Sequence, residues 1–121
     1  MDKQIIKNII IEKQVAIPNY KLVHRDFLFG DKSNYILVGL RRAGKSYLLY
    51  QDIQTRLNKG EQSAQDILYI NFEDERLSSL KAEELGIILD SYMELYPGKQ
   101  PFIYLDEIQN VEGWEKFARR L

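Results

Sequence analysis

The sequence contains no cysteine, which excludes disulfides, thiolate catalysis and Cys-ligated zinc or iron–sulfur centres. A single histidine, His24, leaves no material for a His-rich metal site and no choice of base for a Ser–His–Asp triad. Long apolar runs are missing too. Near the N-terminus the longest is Ile9-Ile10-Ile11, hemmed in by Lys7, Asn8, Glu12 and Lys13. A secretory signal needs roughly 7–15 continuous apolar residues and a membrane span about 20, so neither is expected, and the chain reads as cytoplasmic with no membrane partner. Charge of one sign is also lacking. Seventeen Lys and Arg against eighteen Asp and Glu leave a formal charge of -1, so no global basic field argues for nucleic acid and only a local patch stays open. There are no internal repeats or low-complexity tracts.

What is present fits one domain or less. The chain has 121 residues, and domains cluster around 100–150. With 45% apolar and 29% charged residues it is too hydrophobic for a disordered chain. Residues 3–14 set Ile5, Ile6, Ile9 and Ile10 on one helical stripe, which Pro18 ends. Residues 19–33 are ambiguous between short helix and loop, with Gly30-Asp31 as a turn signal. Tyr35-Ile36-Leu37-Val38 is apolar at consecutive positions, the pattern of a strand buried on both faces. A helix is predicted over 45–58, with Leu48, Leu49, Ile53 and Leu57 inward and Gly60 beyond its end. A second strand covers 67–72 and runs into Glu73-Asp74-Glu75. A helix over 80–95 carries Leu85, Ile88, Leu89 and Tyr92 inward, has Glu83 and Glu84 in its first turn, and stops at Pro97-Gly98. A third strand, Phe102-Ile103-Tyr104-Leu105, ends at Asp106-Glu107. The stretch 113–121 puts Trp114, Phe117, Ala118 and Leu121 on one helical side. Tyr69, Tyr92, Tyr96 and Tyr104 are expected at the rims of the sheet and its helices. Strands alternating with helices predict an α/β fold with a parallel sheet, whose chemistry sits at the carboxyl ends of the strands.

Two clusters lie at such ends. Gly39-Leu40-Arg41-Arg42-Ala43-Gly44-Lys45-Ser46 matches G-x-x-x-x-G-K-[ST] at every specified position, after a predicted strand and before a predicted helix. Glycines let the backbone curl around phosphate oxygens, successive N–H groups point inward, and the helix offers its positive end to the anion. Lys45 then reaches the β- and γ-phosphates, and Ser46 offers a hydroxyl to Mg²⁺. Tyr47 closes the candidate nucleotide-binding segment. Arg41 and Arg42 occupy free positions of the motif and read first as solvated side chains, with contact to phosphate or a partner as the minority reading.

The second cluster is Asp106-Glu107 after four apolar residues. Asp106, at the strand tip, is expected to hold the Mg²⁺ shell through water, while Glu107 orients or deprotonates the attacking water. Alone, this pattern also describes a solvated turn; with the phosphate loop upstream the functional reading prevails. Asn71, polar in an otherwise apolar strand, has two readings: a holder of Glu107 in an inactive rotamer, or an ordinary hydrogen-bonded strand end. His24, Arg25 and Asp26 precede the first strand, where residues 23–29 could contribute to an adenine pocket, although a solvated histidine is the default. Trp114 is expected in the core. Arg119 and Arg120 read as solvated, with action in trans on a neighbouring subunit as the alternative.

GLRRAGKSYLL, YINFEDERL and FIYLDEIQNVEGWEKFARRL together resemble a family of prokaryotic AAA-type P-loop ATPases, over residues 19–121. The resemblance implies a three-layer sandwich around a parallel sheet, ATP as nucleotide, Lys45 and Ser46 in the Walker A role, and Asp106 with Glu107 in the Walker B role. It implies a division into an N-terminal amphipathic helix (1–18) and the N-terminal part of the ATPase domain (19–121), and full-length relatives carry a C-terminal domain of unknown function. The family's strand order, 5-1-4-3-2, sets a fourth strand between the first and third, and the sequence stops before it. Strands lie about 4.8 Å apart, so an absent one leaves a gap of about 10 Å flanked by unpaired apolar edges. Direct pairing of strands one and three, a slot filled by another chain, or a truncated origin are the outcomes; the last is favoured, with self-association as its consequence. Sensor, arginine-finger and lid residues have no assignment. The expected activity is Mg²⁺-dependent ATP hydrolysis, impaired in this form, with a nucleotide-binding or protein-interaction fragment without turnover as the alternative. A GTPase or small-molecule kinase is weaker, since no N-K-x-D sequence is present.

Overall fold

A computed structural model describes residues 1–22, 36–39, 45–60 and 62–120. In chain order it contains α1 (Lys3–Ala16), β1 (Ile36–Gly39), α2 (Lys45–Asn58), β2 (Ile67–Asn71), α3 (Gly86–Leu95), β3 (Phe102–Asp106) and α4 (Trp114–Arg120), with short 3₁₀ turns between several of them. The three strands form one parallel sheet in the order β1-β3-β2. Gly39 and Asn71 both lie in register with Asp106, so all three strands end at the same level.

Alternation along the strands sorts the core into two clusters, as a period of two requires. Leu68 and Ile70 of β2 and Ile103 and Leu105 of β3 pack with Ile6, Ile9 and Ile10 of α1, with Ile88 and Tyr92 of α3, and with Phe117 of α4. Ile67, Tyr69 and Tyr104 point the other way, onto Leu49 and Ile53 of α2 and onto Ile17. The predicted isoleucine stripe therefore does its work: Ile6, Ile9 and Ile10 are buried and Ile5 half-buried. Asp2 caps α1, accepting the Gln4 amide at 2.8 Å. Gln14, buried near the helix end, donates to the Ile67 carbonyl at 2.9 Å and accepts the Tyr96 hydroxyl at 2.8 Å. That ties α1 to β2 and to the end of α3.

Several sequence expectations change. The predicted helix over 80–95 is split: residues 82–84 form a 3₁₀ turn holding Glu83 and Glu84, and α3 begins only at Gly86. Tyr69, Tyr92 and Tyr104 are core residues, not rim residues, because each hydroxyl finds an acceptor: Asp106, the Gln65 carbonyl and Asp52 respectively. Trp114 is half-buried at the edge of the larger cluster. Of the outcomes open to the first and third strands, direct pairing is the one found. β1 pairs directly with β3 over four residue pairs, which removes the unpaired central edges from which self-association was inferred. The readings for residues 23–35 and for Leu121 fall outside the described residues.

If α1 is integral to this core, Ile10→Ala should cost about 2–5 kcal/mol, the usual range for emptying a buried Ile site. Denaturant unfolding checks this, and a loss below about 1 kcal/mol would detach α1 from the core.

Candidate nucleotide and metal site

The carboxyl ends of the strands bring Gly39, Ser46 and Asp106 together. Gly39 ends β1 and lies opposite Asp106, the last residue of β3. Lys45 is the first residue of α2, so the motif does end where a helix begins, and the first amides of that helix have no helical acceptor. Leu40, Arg41, Arg42, Ala43 and Gly44 lie outside the described residues. Tyr47, one residue past the motif, is 58% exposed and stacks edge-on to Tyr50 at 6.0 Å.

Asp106 has the pleat parity of Tyr104, so its side chain turns toward α2. It is 0% exposed. Two hydroxyls meet it: Ser46 Oγ donates to Asp106 Oδ2 at 2.5 Å, and Tyr69 OH donates to the same oxygen at 2.5 Å. Burial, then the hydrogen bond to Asp106, pushes the Tyr69 phenol far above the usual tyrosine range, so it is a donor at every physiological pH. Asp106 Oδ1, equally buried, has no partner among the described residues. Tyr69 was missed in the sequence, although a tyrosine two positions before Asn71 in an aliphatic strand shares its face, and that was the available signal.

Glu107 leaves the strand in the left-handed region, φ 57 and ψ 34, the one non-glycine with positive φ among the described residues. The turn diverts the chain into a 3₁₀ turn over 108–110 that drives Ile108 into the core. Consecutive carboxylates thereby separate. Asp106 faces α2, while Glu107, 8% exposed, accepts from Gln109 Nε2 at 2.5 Å. Asn71 does not hold Glu107: its Oδ1 accepts the Glu73 amide at 2.9 Å, an Asx turn closing β2. This is the contact of an ordinary hydrogen-bonded strand end, and the side chain on Glu107 is Gln109, which sequence spacing did not suggest. Arg119 and Arg120 are exposed at the end of α4.

A groove of about 380 Å³ beyond β2 and β3 is lined by Phe72, Leu80 and Val111, with Glu73, Asp74 and Glu75 among its walls. Of these carboxylates, Asp74 pairs with Arg76 at 2.7 Å. Among the described residues no group of three or more His, Asp or Glu side chains could hold a metal by itself. Ser46 and Asp106 nonetheless fit Mg²⁺, which takes hard oxygens, keeps several waters and commonly relies on one or two protein groups plus substrate phosphates. The orphaned Oδ1 supplies the free acceptor that such a site needs.

A family model described as an AAA domain matches residues 31–121. The chain belongs to this AAA-domain family. An uncharacterized protein of Methanocaldococcus jannaschii is 36% identical over all of the chain, which covers 26% of that relative. An uncharacterized protein of Haemophilus influenzae is 37% identical over 71% of the chain and 21% of its own length. The chain thus spans about a quarter of the length of these curated relatives. No solved structure matches it significantly. Membership of the AAA-domain family supports nucleotide-binding, ATPase-type activity in general, and the small parallel sheet accords with a P-loop NTPase-like fold. Among the described residues no helix is long and apolar enough to cross a membrane.

Holding glutamate in the left-handed region costs about 1–2 kcal/mol. Glu107→Gly should therefore be more stable than Glu107→Ala by about 1 kcal/mol in equilibrium unfolding. Equal stabilities would mean that the backbone at 107 relaxes to negative φ.

Proposed function

We propose that the chain is the nucleotide-binding and hydrolytic portion of a cytoplasmic AAA-type ATPase, built on a three-layer P-loop sandwich and splitting ATP with Mg²⁺. The observation that carries this reading is the 2.5 Å contact of Ser46 Oγ with Asp106 Oδ2, which joins the ends of two motifs 60 residues apart. In this reading the backbone from Gly39 to Tyr47 and the Lys45 ammonium grip the phosphates. Ser46 keeps a lone pair for Mg²⁺ while donating its proton to Asp106, and Asp106 holds the ion's water shell. Held by Ser46 and Asp106, Mg²⁺ would supply charge neutralisation for the phosphates. Glu107 orients the water that attacks the γ-phosphorus in line and takes its proton. Lys45 stabilises the charge that develops on the transferred group.

A second reading is nucleotide binding without turnover. Gln109 favours it, since its amide occupies one oxygen of Glu107 and must let go before that carboxylate can take a proton. Sensor, arginine and lid residues would come from the remainder of a longer protein, in line with the quarter-length coverage of the relatives.

Titration with ATP and Mg²⁺ tests the site: Lys45→Ala should weaken binding at least tenfold, and equal affinities would overturn the assignment. In single-turnover assays, Glu107→Gln should keep ATP bound and slow its hydrolysis roughly 100-fold, the lower bound for losing a general base. A parent protein that binds ATP without cleaving it would select the second reading.

A further inference from the structure

We propose that Tyr69 is a positioning residue of the metal site: its hydroxyl fixes the Asp106 carboxylate so that Oδ2 is committed to protein donors and Oδ1 is left for the hydrated cation. This rests on the Mg²⁺–nucleotide reading above and adds a residue to it. A carboxylate has lone-pair capacity for about four donors spread over two oxygens. In an unliganded core, donors would be expected to spread across both. Here the hydroxyls of Ser46 and Tyr69 converge on Oδ2, and Oδ1 is buried with no partner among the described residues. Orphaned buried acceptors are rare in folded proteins and mark an unfilled requirement.

The phenol is also held firmly. Tyr69 is fully buried, its ring centroid lies 5.4 Å from that of Tyr50, which in turn sits 5.0 Å from Tyr20, and Lys13 Nζ stands 5.9 Å from the ring centroid. Its hydroxyl lies 3.4 Å from the Tyr50 hydroxyl, so the oxygen cannot swing without disturbing a packed aromatic row. Ser46 alone could not do this work. A bound cation would draw on a lone pair of the Ser46 hydroxyl, whereas the Tyr69 hydroxyl, whose other neighbour is that of Tyr50, would keep its proton on the carboxylate. Orienting partners of metal-holding groups typically carry 10–100-fold of the metal affinity.

The test compares ATP affinity with Mg²⁺ and with excess EDTA for the parent, Tyr69→Phe and Tyr104→Phe. Tyr104 is a control on the same cluster, since its hydroxyl serves Asp52 and not Asp106. Expected is an EDTA affinity within about twofold of the parent for both variants, with the Mg²⁺-dependent gain cut roughly tenfold in Tyr69→Phe alone. An unchanged gain in Tyr69→Phe, an equal drop in Tyr104→Phe, or no gain in the parent overturns the proposal while leaving nucleotide binding intact. A parent that binds no ATP under either condition overturns the ATPase reading and this one together. Should Tyr69→Phe fail to fold, NMR of the parent with ring-labelled tyrosine decides. The Tyr69 resonance should shift when Mg²⁺ is added to the ADP-bound protein, and that of Tyr92 should not; a static Tyr69 signal overturns the proposal.

Discussion

A fully buried carboxylate is the constraint around which this fold is arranged. Asp106 sits at the end of the central strand with no solvent contact, and burying such a charge is costly unless donors reach it. The donors come from two different elements, Ser46 at the start of α2 and Tyr69 in β2. In this sheet β3 lies between β1 and β2, in the register that levels Gly39, Asn71 and Asp106, and Asp106 stands beside both donors. Sheet order, helix start and carboxylate environment are one requirement seen from three sides. The central place of β3 also explains its pattern: a strand covered on both faces and paired on both edges must be apolar throughout, and the first polar residue can appear only where it ends.

Much of this was legible in the chain because the signals were redundant. The helix over 45–58 is announced by the Gly-Lys-Ser motif at its start, by Leu49 and Ile53 on one face, and by Gly60 past its end, and it is found with those limits. Gly60 adopts φ 79, the conformation expected after a helix. Where one signal stood alone, the reading drifted. The apolar periodicity of 80–95 could not register that Gly86 resets the helix, because a 3₁₀ turn and a first α-turn present nearly the same face. The tyrosines were set at the rims by their amphipathic character, yet burial of a phenol depends on whether an acceptor awaits it, which is long-range information. Asn71 and Gln109 show the same limit. Which amide reaches Glu107 is decided by a left-handed turn at Glu107, and no local pattern predicts glutamate there.

The two faces of the sheet differ in kind. The side covered by α1, α3 and α4 is a large aliphatic cluster with few polar atoms. The side under α2 is smaller and carries tyrosines and charged groups: Tyr69 on Asp106, and Tyr104 with Asp52 and Arg56, where Arg56 also lies 4.3 Å from the Phe102 ring. Burial raises the Tyr104 phenol well above its ordinary range, and the neighbouring Asp52 adds to that. The first face carries the larger share of the buried apolar side chains, and the second carries the hydroxyl–carboxylate contacts of Tyr69 and Tyr104. This division accords with a nucleotide domain, in which the helix after the first strand must be held at a fixed height relative to the strand tips while the opposite layer need only stay packed.

The separation of Asp106 from Glu107 shows how the chemistry depends on backbone shape. Two adjacent carboxylates on a regular strand would point to opposite faces, one of them into the aliphatic cluster beside Ile108 and Val111. An ionised group placed there would be desolvated without a partner. The left-handed step at Glu107 avoids this by ending the strand early, lifting the glutamate out of the pleat and sending Ile108 into the core in its place. The strain of a positive φ on glutamate is offset by burial of Ile108 and Val111 and by the backbone bonds from Asn110 to Glu107 and from Val111 to Ile108. Such strain persists where surrounding structure over-determines it, and it concentrates where function needs a side chain in an otherwise unfavourable place. Glycine would meet the backbone requirement at lower cost, and the role proposed for Glu107 toward the attacking water would account for a carboxylate at that position.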